Sequence, residues 1–174
     1  PSRLAGTLFA NVTRRLMSEL NAANLYSPNV SNLQAVSATL PRPLDIMAVL
    51  GTSYRRETVS FHRKKLLEHL SPFNRYNGVV GGRLSQREFN RHLRKSKFVI
   101  SGFGWGEVCY REFEATWIGA AFAMPDMSGI ETWPNIYESG KTYIPFAWDF
   151  TDLHEKIDSA LSQPEHLRAL TANA

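Results

Sequence analysis

The sequence predicts an α/β fold: a Rossmann-like, largely parallel sheet with helices on both faces, preceded by an N-terminal helix and a linker. Three observations lead there. From about residue 44 onward, short apolar runs alternate with amphipathic stretches. Small or polar residues follow four of those runs, at Gly51-Thr52-Ser53, Gly81-Gly82-Arg83, Ser101 to Gly106 and Pro125-Asp126-Met127. The composition, 43% hydrophobic and 21% charged over 174 residues, gives one domain a sizeable core.

Leu8, Val12, Leu16 and Leu20 recur every fourth residue, so Leu4 to Leu25 reads as an amphipathic helix. Ser27-Pro28-Asn29 stops it, and a polar connection runs to Pro41-Arg42-Pro43. Neither proline can continue a helix, which divides the chain into an N-terminal helix and linker, 1–43, and a compact domain, 44–174. Leu44 to Leu50 is the first strand, and Glu57 to Leu70 the first helix of the domain, with Val59, Leu66, Leu67 and Leu70 inward. Gly78-Val79-Val80 is a short strand. Ser85 and Glu88 have capping-box spacing and open a basic helix to about Lys95. A strand at 97–100, a glycine loop and a helix at 107–118 follow, with Cys109, Phe113 and Trp117 as its inward stripe. Ala120 to Met124 and Thr142 to Phe146 are further strands, the latter at an edge because Pro145 cannot donate to a ladder. Two helices close the chain, one marked by Leu153, Ile157 and Leu161 and one begun by Pro164.

A net charge of +4, with 16 acidic residues among 20 basic ones, suits a diphosphate or an anionic surface and does not mark a nucleic-acid binder. The one cysteine, Cys109, rules out an internal disulfide and fits a reducing compartment. No apolar run approaches the length of a membrane-spanning helix. The five histidines do not cluster at metal-ligand spacings, and no nucleophile elbow is present. These features place the protein in the cytoplasm, with a membrane surface as one option.

The most informative segment is Ser101 to Ala115. Glycines between a strand and a helix uncover backbone N–H groups at the positive end of the helix, a setting for phosphate. Glu107, Arg111 and Glu114 follow on one stripe, where a carboxylate could meet sugar hydroxyls. The loop matches neither the dinucleotide fingerprint nor a Walker loop. A structural turn and a solvated Glu–Arg helix pair account for the same residues. Arg55 and Arg56, just past the first strand tip, are placed to meet phosphate oxygens.

Gly102-Phe103-Gly104-Trp105-Gly106-Glu107, then Arg111-x-x-Glu114-Ala115, Gly119 and Pro125-Asp126-Met127-Ser128, resembles the C-terminal domain of GT-B glycosyltransferases. The branch it resembles is the group-one type that includes CgeB-like spore-protein glycosyltransferases. Leu50-Gly51-Thr52 with a later His62-Arg63, Glu131-Thr132-Trp133-Pro134, Gly140 to Pro145 and Trp148-Asp149 add to the likeness, which spans roughly residues 44–170.

The resemblance implies a hexosyltransferase-like enzyme that binds a nucleoside-diphosphate sugar as substrate and uses no cofactor. Glu114 would accept the ribose hydroxyls. Backbone at Gly104, Gly106 and Glu107 would face the diphosphate or the sugar, with Glu107 the catalytic candidate. Thr52, Arg56 and Arg111 would complete the donor site, the arginines offsetting phosphate charge. One fewer residue separates Glu107 from Glu114 than separates the paired glutamates of retaining GT-B enzymes. An N-terminal GT-B domain, expected outside this chain, would position the acceptor, whether glycan, lipid or protein. The alternative is a non-catalytic nucleotide- or glycan-binding or structural module that retains the fold. No nucleic-acid partner is expected.

Overall fold

Five strands, β1 (Leu44–Val49), β2 (Gly78–Gly81), β3 (Ser96–Ile100), β4 (Ala121–Pro125) and β5 (Ile144–Phe146), form one sheet in the order β2-β1-β3-β4-β5. All four pairings are parallel. The structure is a computed structural model that describes residues 41–71, 75–104, 106–133 and 135–174. The helix expected at Leu4 to Leu25 lies outside the described residues, as does the linker up to residue 40.

Side chains alternate across each strand, and the two faces build two cores. Ile46, Ala48, Phe98, Ile100, Ala121 and Ala123 pack on one face, against helices α1 (Glu57–His69), α4 (Leu153–Ser162) and α5 (Pro164–Asn173). Met47, Val49, Val99, Phe122 and Met124 pack on the other, against α2 (Gln86–Lys95) and α3 (Tyr110–Ile118). Burial on both faces is why the central strands read as unbroken apolar runs. The edge position expected from Pro145 is observed, because β5 ends the sheet. The strand expected from Thr142 is shorter than expected: Tyr143 makes only an isolated bridge to Ser139 before β5 begins.

Local signals set several boundaries. The capping box at Ser85 is formed, with the Ser85 hydroxyl accepting from the Glu88 N–H and the Glu88 carboxylate from the Ser85 N–H. α3 ends at Gly119, whose φ of 72° favours a residue without Cβ. Its start differs from expectation. The helix begins at Tyr110, three residues after the expected 107, because the Glu112 carboxylate reaches back to the Cys109 N–H and fixes that residue as the N-cap. Glu107 is therefore outside the helix and shares no stripe with Arg111 and Glu114. The inward face also changes. Glu112, Ala115 and Ile118 are buried, whereas Phe113 and Trp117 are only partly covered.

Arg42, just before β1, fastens the base of the domain. Its guanidinium donates to the carbonyls of Leu93 (3.3 Å) and Ser96 (2.8 Å) at the end of α2, and to Ile118 at the end of α3. Carbonyls in the last turn of a helix have no partner within it, and a cation there also meets the negative end of the dipole. Burial lowers the Arg42 pKa from its ordinary value.

Candidate functional site

The chain leaves β1 through α1 on one face and returns from β2 through α2 on the other, so the winding reverses between β1 and β3. In sheets of this kind such a reversal opens a crevice at the carboxyl ends of the strands. A cleft of about 670 Å³ is found there. Gly51 and Tyr54 line it after β1, Arg83 and Leu84 after β2, and Phe89 from α2. The loop between β3 and α3 supplies Gly104, Gly106 and Val108, and the first turns of α3 supply Arg111, Phe113 and Glu114.

Arg63 binds two of these loops together. It sits on the apolar side of α1 and is 4% exposed. Its Nε donates to the Phe103 carbonyl at 2.6 Å and its Nη1 to the Tyr54 hydroxyl at 2.8 Å. Longer contacts, both 3.4 Å, reach the Gly51 and Gly102 carbonyls. A buried guanidinium is tolerable only when its N–H groups find acceptors, and here main-chain carbonyls provide them. The Tyr54 ring lies between two cations, with Arg63 5.1 Å and Arg83 5.9 Å from its centroid.

The opposite wall carries the charged part of α3. Arg111 donates from Nη2 to the Val49 carbonyl at 2.7 Å and from Nη1 to the Ser101 hydroxyl at 3.4 Å. Its Nε has no hydrogen-bond partner among the described residues. Burial lowers its pKa, against the pull of the neighbouring carboxylates. Glu112, 2% exposed, accepts from the Ser101 hydroxyl and the Cys109 N–H. Burial pushes its carboxyl up to about 7, opposed first by the Ser101 hydrogen bond and then by Arg111. Glu114 is buried as well, 6% exposed, and still borders the cleft. Burial and then Glu112 push the Cys109 thiol up to about 11, which leaves it protonated and a poor nucleophile.

Four residues singled out from the sequence come together at the cleft: Gly104, Gly106, Arg111 and Glu114. Thr52, Arg56 and Glu107 are not among its lining residues. Thr52 is partly buried in the turn after β1, Arg56 is the exposed N-cap residue of α1, and Glu107 is exposed at the loop tip. Two residues that hold the site together, Arg63 and Glu112, have no role in the site as read from the sequence. A signal existed for Arg63, which stands between Val59 and Leu66 on the otherwise apolar stripe of α1. His62, the neighbour of Arg63, packs among aromatic rings. Its ring lies 5.2 Å from that of Phe103 and 4.8 Å from that of Phe150, and burial, then Arg63, lowers its pKa.

The sheet order and the position of the cleft define a Rossmann-type α/β domain. Its fold is similar to that in the crystal structure of TarM, a glycosyltransferase, with a TM-score of 0.55 at 10% sequence identity. The match covers 80% of this chain and 32% of TarM, so the chain spans about a third of that structure. No protein-family model and no curated protein matches the sequence.

Proposed function

We propose that the domain binds a nucleoside-diphosphate sugar and acts as the donor-binding part of a glycosyltransferase. The observation that carries this reading is the cleft itself: an open crevice at the winding reversal, bordered by Arg63, Arg83 and Arg111, with the Glu114 carboxylate in its wall. The fork of the exposed Arg83 suits the oxygens of a diphosphate, and Arg63 and Arg111, whose terminal N–H groups are held by the protein, add fixed positive charge behind the wall. The apolar stretch of Leu84, Phe89 and Val108 suits a flat base. Glu114 would accept from the ribose hydroxyls, and backbone at Gly104 and Gly106 would approach the phosphates.

In glycosyl transfer the bond from the sugar to the terminal phosphate breaks, and negative charge gathers on the departing diphosphate. Cations already held in place lower that barrier without reorganising during the reaction. Arg63 and Arg111 are fixed by carbonyl contacts before any ligand arrives. Arg56, at the start of α1, would serve a phosphate only at the outer lip, and Thr52 would act through the turn after β1. Glu107, at the exposed tip, would meet the sugar once an acceptor-bearing domain covers the rim. Such a domain would also bring the acceptor into reach and exclude water.

Titration calorimetry with UDP, GDP, ADP and their sugar conjugates tests the reading. At least one is expected to bind, and Glu114→Ala is expected to weaken binding about tenfold or more, the effect of losing charge-assisted hydrogen bonds. No binding by any of these at millimolar concentration would reject it. A second reading, a binding module that does not transfer, is favoured by the position of Glu107 outside the cleft lining. Release of free diphosphate from a sugar conjugate, measured with a candidate acceptor present, separates the two.

A further inference from the structure

The described residues from Ser101 to Cys109 hold no helix or strand, yet Gly104, Gly106, Val108 and Cys109 among them line the cleft. Its two ends converge on a single side chain. The hydroxyl of Ser101, the first residue after β3, donates to Oε1 of Glu112, and the main-chain N–H of Cys109, the residue before α3, donates to Oε2. One carboxyl group, 2% exposed, therefore closes the loop with a separate oxygen for each end.

Two further observations show that the loop between these tethers is tightly folded. The Gly104 N–H donates to the Gly106 carbonyl at 3.0 Å. A Cβ added at Gly104 would stand 2.5 Å from the Cys109 sulfur, so the two arms of the loop leave no room for a methyl group. Arg63 supports the first arm through the Phe103 and Gly102 carbonyls and reaches the end of the second through a weak contact with the Cys109 sulfur, at 3.6 Å. The second arm, which carries Gly106 and Val108 into the cleft, is held at its end by Glu112.

We propose that Glu112 is a positioning residue that straps the two ends of the glycine loop together and so fixes where Gly104 and Gly106 face the cleft. This goes one step past the donor-binding reading and rests on it only for what the loop presents. The order of the loop is a property that can be measured without any ligand. Glu112 itself is shielded from the cleft by its own partners and touches no substrate in this account.

The test uses the full chain, with Glu112→Met and Ser101→Ala as variants. Methionine keeps the length of the side chain and removes both carboxyl oxygens, so it tethers neither end of the loop. Ser101→Ala removes the first tether and leaves the carboxyl in place, which guards against a failure of Glu112→Met to fold. Amide hydrogen exchange, read by mass spectrometry, is expected to rise about tenfold across residues 101–109 in both variants, the scale of one lost hydrogen bond. Exchange in β1 and β4 is expected to stay as in the unsubstituted protein. The affinity for UDP, GDP or ADP, whichever binds, is expected to fall about tenfold in parallel. Unchanged exchange in the loop overturns the proposal, and so does an equal rise through β1 and β4, which would make Glu112 a general support of the core. If no nucleotide binds the unsubstituted protein, the donor-binding reading fails, and the exchange pattern alone decides the role of Glu112.

Discussion

Replacing Arg63 with methionine keeps the length and apolar stem of the side chain and removes its five donors. The geometry gives the size of the loss. The bonds to the Phe103 carbonyl (2.6 Å) and the Tyr54 hydroxyl (2.8 Å) are well formed, and the two contacts at 3.4 Å add little. A hydrogen bond to a charged group contributes about 1.5–3 kcal/mol, so the two strong ones give about 3 kcal/mol at the low end. Water cannot fully replace the guanidinium, because the site is 4% exposed. The Phe103 carbonyl would be left short of a donor. For a domain of this size each kcal/mol moves the midpoint by about 3–5 °C, so Arg63→Met is expected to melt about 10 °C lower. Urea denaturation with thermal melting measures both quantities. Arg63→Lys restores the charge but not the planar fork, and is expected to recover less than half of the loss. A methionine variant within about 1 kcal/mol of the parent would show that the guanidinium does not hold the two loops.

Three further outcomes follow from contacts elsewhere. Glu112 has its carboxyl raised to about 7 from an ordinary 4.5, so the folded state keeps a proton that the unfolded chain has released between those values. Its contribution is complete below the lower value and is lost as pH rises through the upper one; urea titrations at several pH values should show this decline, on the order of 3 kcal/mol, and Glu112→Gln should flatten it. Arg42→Ala should lower stability by about 2 kcal/mol in the same assay, because the ends of α2 and α3 lose a shared donor. Gly104→Ala should weaken nucleotide binding about tenfold by driving the loop off the Cys109 sulfur, and Cys109→Ala in the same chain should restore much of it; calorimetry reads both.

Much of the architecture was legible because its signals are local. Apolar runs ending in glycine or aspartate marked the strands and their ligand-facing tips, and Ser85 with Glu88 marked the start of α2. The start of α3 was not legible, since cysteine is not a residue that announces an N-cap, and the carboxylate that fixes it comes from Glu112, one turn inside. For the same reason Glu107 was placed on a helix it does not join. Glu114, Arg111, Gly104 and Gly106 line the cleft because they stand at a strand-to-helix turn, a position the sequence pattern marks. Arg63 and Glu112 escaped because a charged residue in a helix usually faces solvent. Nothing in the spacing reveals that their partners are carbonyls, hydroxyls and amides from loops folded against them. Arg63 and Phe103, forty residues apart, illustrate this directly.

Arg42 carries a practical consequence for anyone who handles the domain by itself. Cutting at Leu44, the natural place to trim if the flanking prolines are taken as a border, would discard the bolt that clamps two helices at their lower ends. One of those helices is the beam that bears Arg111 and Glu114, about 10 Å and about 6 Å from the clamped end by helix rise. A shortened fragment would therefore be expected to show slack at the crevice, although nothing near it had been altered.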